Sequence, residues 1–175
     1  MNSLTIILIS TVLTISALYV PQPLLPVLAE QFSVSREMAA LLTTIVFIPL
    51  SLAPLVYGYL LEAVPAKHIL RIAMLLLGLS SLALAFIDNY SWMLGGRLFQ
   101  GLLIPALLTA LMTYTSQSAA QGDMQRAMAW YIGATIVGGF AGRALSGMIA
   151  SLFHWRGSFL VLGVSILVAW VWLAR

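Results

Sequence analysis

Two arginines, Arg97 and Arg143, are the charged residues that lie well inside the long apolar stretches of this chain. A charged group within lipid is costly, so such a residue is by default a hypothesis for a functional site, and proton coupling or attraction of an anion is the chemistry it would serve. Gln100 follows Arg97 by three residues and would share its helix face. Two structural alternatives remain open: Arg97 hydrogen-bonds carbonyls of a neighbouring helix, or Arg143 extends outward to water.

Residues for other kinds of chemistry are scarce. The chain has no cysteine, and its two histidines are His68 and His154. An intramembrane protease would need a serine with a histidine, or paired aspartates, at mid-membrane, whereas here the histidines and aspartates lie at span ends or in loops. The eight Lys and Arg residues are far apart and form no basic patch for nucleic acid. The sequence therefore predicts no enzyme, no cofactor or metal, and no nucleic-acid partner.

The elements that must position these residues are membrane helices. Hydrophobic residues make up 62% of the 175 and charged residues 7%, whereas a soluble domain is about one quarter charged. Charges punctuate apolar runs that are long enough to span a bilayer. Six of the seven prolines fall within these runs, where membrane helices tolerate kinks. We predict a single bundle over 1–175 with spans 4–29, 36–62, 67–88, 91–116, 125–153 and 156–175, and Ser35 and Ser91 as helix N-caps.

Orientation follows from the basic residues of the predicted loops. Four of them, Lys67, Arg71, Arg126 and Arg175, lie on one side, and Arg36 and Arg156 lie on the other. The excess places both termini in the cytoplasm, in a multi-pass protein of the cytoplasmic (inner) membrane.

The sequence also contains an internal repeat. An offset of 89 residues aligns the second span with the fifth, so that Gly58 falls on Gly147 and Lys67 on Arg156. A unit of three spans is odd in number, so the second unit enters the membrane from the opposite side. The fold predicted is thus all-α, six transmembrane helices arranged as a 3+3 inverted repeat, a device typical of secondary transporters.

Three motifs in matching order resemble those of the major facilitator superfamily. The loop from Gly58 through Glu62 to Lys67 is similar to its motif between helices two and three, although Ala63, Pro65 and Ala66 depart from it. Arg97-Leu-Phe-Gln100-Gly101 resembles the Arg-x-x-Gln-Gly signature of helix four. Gly138-Gly139-Phe-Ala-Gly142-Arg143 resembles the antiporter motif of helix five, with Gly139 in place of its proline and Arg143 in place of its last glycine.

The resemblance covers the N-terminal six-helix half of a twelve-helix fold and extends to drug/proton antiporter-like members. It implies a substrate or coupling path along Arg97, Gln100, Gln22, Tyr19 and Arg143. It implies a cytoplasmic gate at the loop residues Gly58, Glu62 and Lys67. The small residues Ala134, Gly138, Gly139, Gly142 and Ser146 form either a helix-packing seam or the surface that meets the second half.

The expected function is therefore half of a proton-linked exporter of a small organic molecule, working by alternating access. Its partners would be the lipid bilayer, the substrate and a second six-helix half, either a C-terminal half or a second copy in a homodimer. The alternative is a transport-inactive six-helix half that serves as a structural or assembly unit. The predicted span interiors contain no carboxylate, so a proton carrier would be Glu62, Asp88, Glu30 or a group of another chain. Two arginines favour an anionic substrate, and a carboxylate-rich partner half would reverse this.

Overall fold

The computed structural model describes residues 3–118 and 123–174, and it describes their side chains except at 3, 54, 56, 58–63, 118 and 174. Every regular element in these ranges is helical. The α-helices are α1 (Ser3–Tyr19), α2 (Leu25–Phe32), α3 (Arg36–Thr44), α4 (Phe47–Ala63), α5 (Ala66–Leu84), α6 (Tyr90–Ser118), α7 (Met124–Leu152) and α8 (Trp155–Ala174).

Six segments of the described chain are long and apolar enough to cross a membrane, which confirms the predicted all-α six-span fold. Helix α5, which forms the third predicted span, ends at Leu84 rather than near Asp88, and a turn then leads into the following loop. Helix α6, which forms the fourth predicted span, begins at Tyr90. The prediction of Ser91 as its N-cap is therefore wrong. Asn89 fills that role, because its Oδ1 accepts hydrogen bonds from two backbone N–H groups of the first turn. From here the six segments are called the first to sixth spans; they are Leu4–Phe32, Arg36–Ala53, Ala66–Leu84, Tyr90–Gln117, Met124–Leu152 and Trp155–Leu173.

The first and second spans are each broken. The first passes from α1 through a short 3₁₀ turn at Gln22–Leu24 into α2, and Pro21 and Pro23 lie at this break. The second divides between Thr44 and Phe47. Proline has no backbone N–H to donate, and the last carbonyls of a helix have no partner within it, so each break releases carbonyl oxygens that must find donors elsewhere within a bilayer.

The helix pairing brings the first span to the middle of the bundle, where it packs against the fourth, fifth and sixth. The third span packs against the fourth and sixth, and the second packs against the fourth. The buried core runs between these helices and includes Ile7, Leu42, Leu77, Leu107 and Ile166, each of which has no exposed surface. Many of the large outward-facing side chains are apolar, as expected for helices in lipid.

Inter-span contacts obey the inverted repeat. Gly138 lies so close to Val12 that an added Cβ would stand 2.6 Å from the Val12 carbonyl oxygen. In the 89-residue repeat, Val12 is equivalent to Gly101, and Pro49 is equivalent to Gly138. The equivalent pair is also in contact, since a Cβ added to Gly101 would stand 2.6 Å from the Pro49 ring. The contact between the first and fifth spans therefore has its symmetry mate between the fourth and second.

The third and sixth spans meet on the axis of this repeat. Gly78 and Leu167 are related by the same offset, and they contact each other: an added Cβ at Gly78 would stand 2.7 Å from a Leu167 methyl carbon. A residue touches its own repeat equivalent only where the pseudo-twofold axis passes. The fold is thus an inverted 3+3 repeat in its packing as well as in its sequence.

These glycine contacts predict an unequal response to alanine. We expect Gly138→Ala and Gly101→Ala to destabilise the bundle by about 1–3 kcal/mol, because each new methyl group meets backbone atoms of the facing span. Gly133 and Gly95 lie on the same two helices with open space around them, so their alanine variants should be neutral or slightly stabilising. Thermal unfolding of the four variants in detergent measures the difference, and equal midpoints would contradict the described packing.

Candidate functional site

Arg97 lies at the centre of the helix contacts, with none of its surface exposed. Its Nε donates to the Leu42 carbonyl at 3.0 Å, and its two Nη atoms donate to the carbonyls of Ala17 and Leu18, each at 3.0 Å. Nη1 also donates to Oε1 of Gln100 at 2.5 Å. The described hydrogen bonds thus occupy four of the five N–H groups of the guanidinium, and three of them end on backbone oxygens.

The acceptors are the carbonyls released at the two helix breaks. Pro21 cannot donate to Ala17, four residues before it, and both Ala17 and Leu18 belong to the last turn of α1. Leu42 belongs to the last turn of α3, where carbonyls again lack a partner within the helix. One side chain therefore supplies donors to the broken ends of two membrane helices.

Gln100 extends this network to the third span. Its Nε2 donates to the hydroxyl oxygens of Ser81 at 3.1 Å and Ser80 at 3.2 Å, while its Oε1 accepts from Arg97. Gln100 is 1% exposed. The Arg97 and Gln100 pair consequently joins the first four spans through polar contacts within the core.

Arg143 has a different environment, on the exposed side of the contact between the first and fifth spans. Its Nε donates to Oε1 of Gln22 at 2.6 Å, and its Nη1 donates to the Gly139 carbonyl at 3.0 Å. The guanidinium carbon lies 3.8 Å from the centre of the Tyr19 ring, a cation–π contact. Gln22 and Tyr19 therefore fix the direction of an arginine that keeps surface exposed.

An open pocket of about 410 Å³ borders this arginine, lined by Ile15, Tyr19, Thr135, Ile136, Gly139 and Arg143. Three of the five N–H groups of Arg143 take no part in the described hydrogen bonds. In the part of the chain that the structure describes, Asp88 and Arg156 form the one ion pair, so Arg143 has no carboxylate partner there. The pocket combines one unneutralised positive charge with aromatic and aliphatic walls.

The five predicted path residues thus fall into two groups. Arg97 and Gln100 contact each other in the core and do not open onto this pocket, whereas Arg143, Gln22 and Tyr19 meet around it. Both groups contact the same short stretch of the first span, residues 17–22, from different sides. The sequence named all five residues and did not reveal this division.

Comparison with known proteins agrees with the architecture. The sequence matches the Major Facilitator Superfamily over residues 7–175. The chain belongs to this superfamily. It is 30% identical over 156 residues to the uncharacterized MFS-type transporter YybF of Bacillus subtilis, a match that covers 89% of this chain and 39% of that protein. It is 28% identical over 150 residues to the inner membrane transport protein YnfM of Escherichia coli, covering 86% of this chain and 36% of the relative. The chain therefore spans less than two fifths of the length of these curated relatives.

The small residues of the superfamily's helix-five motif lie against the first span. Gly138 packs on Val12, Gly142 packs on Ser16, and the Ser16 hydroxyl donates to the Gly138 carbonyl at 3.0 Å. Ala134 and Ser146 are also buried. These four residues are covered by this chain's own helices and do not present a surface to a second half. Gly139 differs, since it lines the Arg143 pocket.

The loop in which the resemblance implies a gate is described in part. Lys67 is exposed in the first turn of α5, directly after the cap residue Pro65 and Ala66. Gly58 and Glu62 belong to α4, but the structure describes only their backbone. Among the described residues no group of three histidine, aspartate or glutamate side chains is placed to hold a metal ion.

One polar contact on the predicted outer side was not anticipated. Asp88, in the loop after the third span, forms an ion pair with Arg156 at the start of the sixth. The two residues are 68 positions apart, and no local pattern links them. The packing of the third span against the sixth brings the end of one beside the beginning of the other.

The Arg97 network predicts a specific rescue. Arg97→Gln should lower the free energy of unfolding by about 3–5 kcal/mol, because three buried carbonyls lose their donors. Pro21→Ala restores an N–H that can reach the Ala17 carbonyl, so the double variant should recover about 1 kcal/mol of that loss. Arg143→Gln is the matched control and should cost no more than about 1 kcal/mol, since its contacts are exposed.

Thermal or denaturant unfolding in detergent of the parent protein, Arg97→Gln, Pro21→Ala and the double variant, analysed as a double-mutant cycle, measures this coupling. Additive effects of Arg97→Gln and Pro21→Ala would show that the guanidinium does not compensate for the proline.

Proposed function

We propose that this chain forms one half of a secondary active transporter that exports a small organic molecule across the cytoplasmic membrane in exchange for protons. The observation that carries the proposal is the open pocket at Arg143, where a positive charge lies among apolar walls between the first and fifth spans. Membership of a transporter superfamily and the similarity to an inner membrane transport protein support it. Alternating access about this pocket is the mechanism the fold favours.

The direction of the Arg143 side chain supports a path along this face of the bundle. Gly138 is the middle residue of the 29-residue helix α7, and Arg143 bonds the carbonyl of Gly139, beside that middle. The guanidinium is therefore turned toward the membrane centre and not toward the outer surface. A cation at that depth costs about 3 kcal/mol in lipid, so this face should meet water and a second six-helix half.

Proton coupling needs a group that changes protonation, and the described part of the chain restricts the choice. Glu30 is exposed near the end of the first span, and Asp88 is exposed in a loop and paired with Arg156. Neither lies in the middle of a span. We therefore assign the proton carrier to Glu62 or to a carboxylate of the companion half, and the position of Glu62 in the last turn of α4 suits a cytoplasmic gate.

Proton-linked transport predicts substrate-dependent proton movement. Liposomes containing the purified chain and an internal pH dye, given an inward gradient of each member of a panel of organic acids, amines and neutral compounds, should show proton flux with a subset of the panel. Glu62→Gln should abolish that flux if this chain carries the proton, and Glu30→Gln is the matched control. Protein-to-lipid ratios high enough for two copies to associate are required, because a path needs two halves.

The same flux measurements distinguish a homodimerising half-size transporter from a transport-inactive unit. Flux that rises with the square of protein density indicates a homodimerising half-size transporter. Absence of flux from every assembled form would contradict the proposal and favour a transport-inactive unit, whose buried Arg97 is then purely structural.

The charge distribution predicts the orientation. A fluorescent protein fused after Arg175 should fold and fluoresce, and alkaline phosphatase at the same place should be inactive, because both termini are expected in the cytoplasm. The opposite pair of results would place the C-terminus outside and overturn the predicted orientation.

A further inference from the structure

We propose that the pocket between the first and fifth spans binds the anionic group, a carboxylate or a phosphate, of a small organic substrate. Arg143 supplies the charge, and Gln22 and Tyr19 are its positioning residues. That the bound anion is a transported substrate rests on the proposed function, whereas the charge selectivity of the pocket does not depend on it.

The first argument is the electrostatic state of the pocket. Among the described residues no carboxylate neutralises Arg143, and its two described hydrogen bonds end on a neutral amide and a backbone carbonyl. The described carboxylates nearest in the chain to these elements, Glu30 and Asp123, lie at or beyond helix ends. A guanidinium that lies among apolar walls without a counter-ion is free to attract an anion.

The second argument is the preorganisation of the guanidinium. Tyr19 stacks on its plane at 3.8 Å, and Gln22 and Gly139 hold its Nε and Nη1. The remaining N–H groups take no part in the described hydrogen bonds and are left as donors for a carboxylate or phosphate oxygen. The arginine is therefore fixed by neutral contacts that leave its charge available.

The third argument is the size and lining of the pocket. A volume of about 410 Å³ lies in the range of small-molecule sites, which combine apolar walls with few polar groups. Ile15, Ile136 and Tyr19 provide apolar surface, and Thr135 adds one hydroxyl. An inorganic ion would leave these walls unused, whereas an organic anion with an aromatic or aliphatic body would contact both parts.

The absence of cysteine from the chain allows a direct measurement of charge selectivity. Thr135→Cys places a thiol in the pocket, and its reaction rates with the anionic sulfonatoethyl and the cationic trimethylammonioethyl methanethiosulfonate are compared in nanodiscs of neutral lipid. The anionic reagent should react faster relative to its rate with a free thiol, and the cationic reagent slower. The ratio of the two rates should fall about tenfold when Arg143→Gln is added.

Two further variants keep the test decisive if Arg143→Gln does not fold. Gln22→Glu preserves shape and places a carboxylate beside Arg143, so it should cancel the anion preference without removing the arginine. Arg156→Gln removes the same charge from the first turn of α8, outside the residues that line the pocket, and should leave the ratio unchanged. Equal relative rates in the parent Thr135→Cys protein, or a ratio that Gln22→Glu does not alter, would overturn the proposal.

Ligand protection tests the chemical class. Benzoate and phenylphosphonate, at the same concentration as the neutral control benzamide, are added before the uncharged reagent methyl methanethiosulfonate. At least one of the two anions should slow the reaction at Thr135→Cys several-fold more than benzamide does, and Gln22→Glu should remove this protection. The stronger protector distinguishes carboxylate from phosphate. No protection by either anion would overturn the proposal, and because neither assay requires transport, this result would not bear on the transport function.

Discussion

The constraint on which this fold depends is that a broken membrane helix must have its released carbonyls satisfied from within the protein. The first and second spans both break, and water is not available at that depth to repair them. Arg97 meets the requirement by donating to Ala17, Leu18 and Leu42, and Gln100 continues the network to the third span. The cost of burying a cation is offset because its N–H groups find oxygen atoms that would otherwise be unpaired.

The consequence is a division of labour around residues 17–22. Arg97 approaches this stretch from the core, binds its carbonyls and is inaccessible. Arg143 approaches its exposed side, binds the side chains of Tyr19 and Gln22, and remains accessible. The two arginines look equivalent as isolated charges in apolar sequence, yet one stabilises the break in the helix and the other uses the groups that the break presents.

Sequence patterns predicted the six spans, the inverted repeat and the residues of both arginine clusters, because charge spacing and apolar length are local properties that lipid enforces strictly. They did not predict how the residues would be grouped. Whether Gly138 and Gly142 face a second half or the first span depends on the rotation of α7 about its axis, which neighbouring helices decide. The ion pair of Asp88 with Arg156 likewise joins positions that only the packing of the bundle brings together, and the Asn89 cap displaced Ser91 because the helix starts one residue earlier.

The contact between Gly78 and Leu167 has a consequence for how such a bundle arises. Residues on a twofold axis face their own equivalents, so two identical three-span units would place either two glycines there, leaving a gap, or two leucines, which would collide. A glycine opposite a leucine fills the space, and this is possible only when the two units differ in sequence. The closest approach of the third and sixth spans is therefore a fit that perfect symmetry forbids, and joining the units in one chain is what allows them to become complementary instead of alike.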